Sequence, residues 1–177
     1  MKNTVIIVLL LMIACKENKD LDIKAKKEDK ITASTVDTLN LKIYDFKGLA
    51  PLLNKNDDTI YVVNFWATWC APCVKELPYF EAIHRDYQSK NVKVILVSLD
   101  FPNQYVTKLK PFIKKHQLKS KIVVLNDVDS NNWIPKINKD WSGAIPATII
   151  YNKDKKRFYE KSFNLDELKT EVDKFLN

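Results

Sequence analysis

Two cysteines three residues apart are the part of this sequence best suited to covalent chemistry. Cys70 and Cys73 enclose Ala71 and Pro72, at the point where the apolar run 60–66 gives way to a helical pattern. Residues three apart on a first helical turn lie within disulfide reach, and Pro72 is tolerated there because its missing N–H would have no partner within the helix. Free N–H groups and the helix dipole favour a thiolate on Cys70. We therefore predict that Cys70 attacks, and that Cys73, shielded by the helix, resolves the mixed disulfide.

Other uses of a cysteine pair stay open at this point, namely a metal site or an inert structural disulfide. Zinc or copper would need further thiolate or nearby imidazole ligands, and of these the chain offers only Cys15, His84 and His116. Covalent haem attachment needs a histidine directly after the second cysteine, where Val74 stands. We predict no metal and no cofactor beyond a redox-active disulfide between Cys70 and Cys73.

Alternating strand and helix patterns surround the cysteine pair. Strands are predicted over 40–46, 60–66, 92–99, 122–125, 147–151 and 157–163. Helices are predicted over 48–54, 74–87, 105–118, 133–137 and 165–176. Pro78 is expected to kink the second helix and Pro111 to bend or split the third, whereas Asn164 and Glu167 form a capping box before the last. This alternation predicts an α/β sheet covered on both faces.

Composition excludes several classes of function. The chain has 177 residues and only two glycines, Gly48 and Gly143, so it can hold neither a P-loop nor a dinucleotide-binding fingerprint. Its net charge is +7, from lysines scattered among acidic residues. No basic stripe with interleaved aromatic residues is present, so we predict no nucleic-acid partner.

The N-terminal sequence is typical of a targeting segment. A short positive start precedes the apolar residues 5–14, about half the length of a membrane-spanning helix, and Cys15 follows directly. This order resembles the lipobox of bacterial lipoproteins, which implies cleavage before Cys15 and lipidation of it. An uncleaved anchor and an ordinary buried cysteine are the alternatives. We predict a signal peptide over 1–14, a flexible lipid-anchored tether over 15–38 and a folded domain over 39–177, with a surface helix as the alternative for the tether.

Two segments of the sequence resemble the signatures of a known protein family. VNFWATWCAPCVKELP, residues 63–78, and GAIPATII, residues 143–150, resemble the signatures of the TlpA/ResA/DsbE-like thiol-disulfide oxidoreductases, a bacterial envelope branch of the thioredoxin superfamily. The resemblance covers about residues 39–177. It implies a thioredoxin fold, with a central mixed β-sheet flanked by helices on both faces, and an N-terminal extension. It also implies disulfide exchange on protein thiols outside the cytoplasm.

The resemblance assigns roles to residues around the pair. Pro146 corresponds to the cis-proline of the family, which would set the backbone of Ile145 against Cys70 and beside the substrate strand. A trans-proline at a strand start is the alternative. Trp69, Ala71 and Pro72 are the further substrate contacts we expect, although Trp69 could instead belong to the core.

The proton acceptor for Cys73 is expected to differ from that of thioredoxin. Asn64 occupies the strand position where thioredoxin has a buried aspartate, and an amide cannot serve as that base. Glu76 matches an acid typical of the TlpA/ResA-like branch, so we predict that it accepts the proton of Cys73. We also predict that Glu76→Gln raises the apparent pKa of the cysteine pair and slows exchange, while stability stays within about 1 kcal/mol because the site is expected at the surface of a helix start. The alternative is a solvated glutamate that the helix dipole favours and that has no role in proton transfer.

The predicted function is an enzyme that reduces disulfides of extracytoplasmic client proteins. The expected partners are those oxidised clients, a membrane thiol reductase as electron donor, and the membrane itself through the lipid anchor. The protein is expected to be a monomer in the periplasm or extracytoplasmic space, and cytochrome c maturation is a common role in the family. The alternatives are a thioredoxin-like module that binds a client or metal without turnover, and a peroxiredoxin-like peroxidase, which would not need the CxxC.

Overall fold

The computed structural model describes residues 39–176, which hold a single six-stranded sheet. The predicted signal peptide and tether, and with them Cys15, lie outside the described residues. Within 39–176, no helix has the length and apolar character needed to span a membrane.

The sheet is mixed, in the order β1-β4-β3-β2-β5-β6. Its strands are β1 (Lys42–Tyr44), β2 (Ile60–Trp66), β3 (Val92–Ser98), β4 (Lys121–Leu125), β5 (Ala147–Tyr151) and β6 (Lys156–Tyr159). The α-helices are α1 (Phe46–Leu49), α2 (Ala71–Asp86), α3 (Lys110–Lys115), α4 (Ser130–Ile137) and α5 (Leu165–Asp173). The first four strands are mutually parallel, β5 runs antiparallel to β2, and β6 runs antiparallel to β5.

Strand β2 is buried along its whole length. All seven of its residues are buried, between β3 on one side and β5 on the other. An unbroken run of β-branched and aromatic residues suits such a position, because both faces of the strand are covered.

Each face of the sheet carries its own hydrophobic core. On one face Val62 and Leu96 pack with Leu77, Phe80 and Leu168 of helices α2 and α5. The residues of the opposite core include Val63, Phe65, Leu49, Trp133 and Ile137, the last two from α4. Helices therefore cover both faces, as the alternating pattern predicts.

The structure changes the predicted bounds of several elements, among them the first helix, which is predicted over 48–54 and observed as α1 followed by a 3-10 turn at Ala50–Leu52. The predicted helix 105–118 is divided into a π-helical turn, Tyr105–Leu109, and α3. Pro111 lies in the first turn of α3, where its missing N–H does not interrupt the helix. The predicted last strand ends at Tyr159 rather than at residue 163, and the capping box of Asn164 and Glu167 forms as predicted.

The carboxyl ends of β2 and β3 lie side by side. Trp66 pairs in register with Ser98, so the segments that follow the two strands leave the sheet at the same edge. One segment leads through Thr68 into Cys70, and the other begins with Leu99 and Asp100.

Candidate active site

The cysteine pair lies at the N-terminus of helix α2. Cys70 is the N-cap residue, with extended backbone angles, and its Sγ accepts the N–H of Cys73 at 3.3 Å. The Cys70 N–H donates to the carbonyl of Ala67 at 3.1 Å, which closes the turn between β2 and α2. Pro72 stands in the first helical turn. A sulfur at this position receives an N–H bond and the field of the helix, both of which stabilise a thiolate.

The two sulfurs form a disulfide and differ in access. The Cα atoms of Cys70 and Cys73 lie 5.3 Å apart. Cys70 is 6% exposed, whereas Cys73 is fully buried at 0%. An incoming thiolate or disulfide can therefore reach Cys70, while Cys73 can react only with a group already held at Cys70.

The loop before β5 lies against Cys70. The Ile145–Pro146 peptide bond is cis, and the carbonyl oxygen of Ile145 is 3.7 Å from the Sγ of Cys70. Strand β5 pairs antiparallel with β2, with Ala147 opposite Phe65, and this pairing brings the loop next to the cysteine turn. A carbonyl oxygen presents negative density to the sulfur, so it does not add to the stabilisation of a thiolate.

An exposed aromatic surface borders the pair. Trp69 is 51% exposed, which contradicts the core alternative for this residue. Its ring stacks on Phe101 at 6.1 Å between ring centroids, and Phe101 is 58% exposed. Ala71 and Pro72 are exposed as well. Sequence reasoning missed Phe101, although an apolar aromatic residue three positions after the end of a buried strand could have indicated it.

Glu76 is buried, so the interpretation as a solvated helix-start residue is wrong. Its side chain is 1% exposed and lies on the core-facing side of α2. One carboxylate oxygen accepts from Nδ2 of Asn64 at 2.9 Å, and the other accepts from the backbone N–H of Phe163 at 2.8 Å. The expectation that Glu76→Gln leaves stability within about 1 kcal/mol assumed a surface site, and the burial of Glu76 removes that assumption.

Burial changes the acidity of Glu76. Loss of solvent raises its pKa from 4.5 to about 7, and the hydrogen bonds from Phe163 and Asn64 oppose only part of that rise. Near neutral pH the side chain is therefore available in both protonation states, which suits a group that exchanges a proton with a thiol.

The side-chain amide of Asn64 can form a hydrogen bond with Glu76 in both its ionised and its protonated state. Its Nδ2 donates to Glu76 and also to Oγ1 of Thr148 at 3.2 Å, while its buried Oδ1 has no hydrogen-bond partner among the described residues. Turning the amide over would place Oδ1 where a protonated Glu76 can donate to it. Asn64 thus cannot be the base, but it can accommodate the loss and gain of a proton on Glu76.

The described part of the chain contains no group of three or more His, Cys, Asp or Glu side chains placed to hold a metal ion. Cys15 lies outside that part. The chemistry that the site can perform with its own atoms is the exchange of the Cys70–Cys73 disulfide with other thiols and disulfides.

Comparison with known sequences points to the same chemistry. A model of the AhpC/TSA family matches residues 33–156, more than half of the chain. A protein from Bacillus cereus named thiol-disulfide oxidoreductase ResA is 30% identical over 118 residues. That alignment covers 66% of this chain and 62% of the relative, so the chain spans less than two thirds of that protein.

Comparison with solved structures identifies the fold. A secreted thiol-disulfide isomerase from Corynebacterium glutamicum superposes with a TM-score of 0.58 at 15% identity, covering 68% of this chain and 72% of that one. A thiol:disulfide interchange protein of the thioredoxin family from Chlorobium tepidum gives a TM-score of 0.57 at 18% identity, covering 75% and 90%. The predicted thioredoxin fold is confirmed.

Proposed function

Because the chain belongs to the AhpC/TSA family and carries a cysteine pair in which Cys70 is 6% exposed and Cys73 is fully buried, we propose that it is a thiol-disulfide oxidoreductase that reduces protein disulfides. The observation that carries the proposal is the Cys70–Cys73 disulfide at the start of α2, with Cys70 as the N-cap and Cys73 fully buried. The relative from Bacillus cereus bears the name of this activity.

The reduced pair acts in two steps. The Cys70 thiolate attacks one sulfur of the client disulfide, which forms a mixed disulfide and releases the first client thiolate. Cys73 then loses its proton to Glu76 and attacks the Cys70 sulfur, which releases the second client thiolate and closes the Cys70–Cys73 disulfide. Two electrons pass to the client, and a dithiol donor must return two electrons to the pair before the next cycle.

Client binding uses the surface around Cys70. Trp69, Ala71 and Pro72, next to Cys70 in the chain, present exposed apolar groups, and the backbone carbonyl of Ile145 lies against the Cys70 sulfur. An extended client segment can lie between them with its disulfide over Cys70. Apolar contact of this kind favours polypeptide clients over small disulfides, since a small disulfide covers little of the surface.

The cellular setting is part of the proposal. We infer that the protein works outside the cytoplasm, held to the membrane by lipid on Cys15, as a monomer, with a membrane thiol reductase as its electron donor. The solved structure from Corynebacterium glutamicum is of a secreted protein, which supports the compartment. Clients in cytochrome c maturation are consistent with the resemblance of the motifs.

Reduction of oxidised insulin, with dithiothreitol as donor, tests the proposed activity. The wild-type protein should accelerate insulin precipitation over dithiothreitol alone, and the Cys70→Ala variant should not. A stable complex with insulin but no acceleration would instead indicate a binding module. Consumption of hydrogen peroxide by the reduced protein, without insulin reduction, would indicate a peroxidase.

A further inference from the structure

Asp100 is a buried carboxylate next to the active-site turn. It is 2% exposed, at the start of the segment that follows β3. Its carboxylate accepts hydrogen bonds from uncharged groups, namely the N–H and hydroxyl of Thr68 and the hydroxyl of Ser98. A buried carboxylate without a cation needs hydrogen-bond donors to persist.

Those donors come mainly from the turn that carries Cys70. The backbone N–H of Thr68 donates to both carboxylate oxygens, at 3.1 and 3.2 Å, and the Thr68 hydroxyl donates to one of them. The hydroxyl of Ser98 donates to Oδ2 at 2.8 Å, and the N–H of Asp100 donates back to that hydroxyl at 3.1 Å. Asp100 thus reaches from the end of β3 to hold Thr68, two residues before the reactive sulfur.

The backbone reinforces this connection. The N–H of Leu99 donates to the carbonyl of Trp66 at 2.8 Å, which joins the two segments at the start of the turn. Asp100 adds a second junction one step further along, at Thr68. The turn between β2 and Cys70 is therefore anchored to the neighbouring segment at two successive points.

The charge of Asp100 acts on its surroundings because burial removes most of the solvent screening. Tyr105, also buried, shows this effect: its pKa is raised first by burial and then by the charge of Asp100. A thiolate on Cys70 would be a second negative charge, two residues along the chain from Thr68, whose N–H and hydroxyl donate to the same carboxylate. Repulsion between the two opposes the stabilisation that the helix N-terminus provides.

We infer that Asp100 is a positioning residue that anchors the Cys70 turn through Thr68 and whose buried charge disfavours the Cys70 thiolate, so that the pair favours the disulfide and the reduced protein readily gives up electrons. The inference deepens the proposed function and rests on it in one respect, that the Cys70–Cys73 pair cycles between dithiol and disulfide.

Equilibration with glutathione directly measures how far the Cys70–Cys73 pair favours the disulfide over the dithiol. Oxidised glutathione takes two electrons from the dithiol, which closes the Cys70–Cys73 disulfide and leaves two molecules of reduced glutathione. Asp100→Asn keeps the size and an acceptor oxygen but removes the charge. We expect its equilibrium to shift about threefold or more toward the dithiol, and the pH profile of Cys70 alkylation by iodoacetamide to move to lower pH.

Asp127→Asn is the matched control. Asp127 follows β4 much as Asp100 follows β3, and it too accepts backbone N–H groups, from Phe46 and Asp129, both at 3.0 Å. Removal of the Asp127 charge should leave both the glutathione equilibrium and the pH profile of Cys70 alkylation unchanged. Thr68→Val, which removes the hydroxyl and keeps the charge, should stay within about twofold of the wild type in the glutathione equilibrium.

An Asp100→Asn protein that matches the wild type in both measurements would overturn the inference. A Thr68→Val shift as large as that of Asp100→Asn would also overturn it, because the hydrogen bond and not the charge would then be responsible. If Asp100→Asn does not fold, Asp100→Ser is measured in its place. Failure of the proposed function has a different signature, since the wild type would equilibrate with glutathione but would not reduce insulin.

Discussion

The buried carboxylate of Glu76 should make the stability of the oxidised protein depend on pH, and Glu76→Gln should remove that dependence. In the unfolded chain this carboxyl titrates near 4.5, and in the folded protein near 7. Below pH 4.5 both states hold the proton and the folded protein has its full stability. Between 4.5 and 7 the unfolded chain releases the proton while the folded protein keeps it, so stability falls as pH rises.

The size of the effect follows from the same two values. A rise in pKa from 4.5 to about 7 corresponds to about 3 kcal/mol of stability lost by about pH 8. Screening by solvent does not reduce this effect on stability, because Glu76 is only 1% exposed. The glutamine of the variant can accept the Phe163 N–H and donate one N–H to a turned Asn64 amide, as a protonated Glu76 would, but its second amide N–H is a buried donor that the carboxyl does not have. An unsatisfied buried donor costs roughly 1–3 kcal/mol, and this cost does not vary with pH.

Urea denaturation of the oxidised proteins at pH 5 and pH 8 measures both contributions. Glu76→Gln should be less stable than the wild type at pH 5. Because the wild type loses about 2.5 kcal/mol between pH 5 and pH 8 and the variant does not, the difference between the two proteins should shrink or change sign by about that amount at pH 8. Parallel stability profiles for the two proteins would refute the reasoning, because Glu76 would then titrate alike in the folded and unfolded chains. The variant should also reduce insulin more slowly and show a higher apparent pKa of the cysteine pair, whereas Glu81→Gln on the same helix should not.

Other consequences of the structure can be measured separately. In the reduced protein, iodoacetamide at neutral pH should modify Cys70 before Cys73, because Cys73 is fully buried, and peptide mass spectrometry would show the reverse order if the assignment is wrong. Cys15→Ala should leave the protein unprocessed or lost from the membrane fraction; a mature chain with Met1 and an unmodified Cys15 would contradict lipidation. Equilibration against glutathione should place the reduction potential nearer to about −270 mV than to about −120 mV, and a value above about −150 mV would make the protein an oxidant.

The features that local pattern determines were predictable from the sequence. Strand β2, helix α2 and the capping box at Asn164 each follow from the spacing of apolar residues and the choice of cap residue. The cysteine pair was predictable as well, because its chemistry depends on two residues three apart at a helix start.

What the sequence did not disclose depends on contacts between distant segments. Glu76 is buried because the chain near Phe163, 87 residues later, covers it and donates an N–H to it. The bonds from Thr68 to Asp100 join residues 32 apart. Periodicity predicts which face of a helix is apolar, but not which loop will cover a polar residue near that face.

Trapping of a mixed disulfide tests the central claim, that Cys70 attacks a client disulfide and Cys73 resolves the product. The reduced Cys73→Ala variant, in a Cys15→Ala background, is mixed with oxidised insulin and analysed by non-reducing electrophoresis and peptide mass spectrometry. The account predicts that an adduct accumulates through Cys70 and disappears on treatment with dithiothreitol. Absence of an adduct, or one that persists when Cys70 is also replaced by alanine, would contradict it.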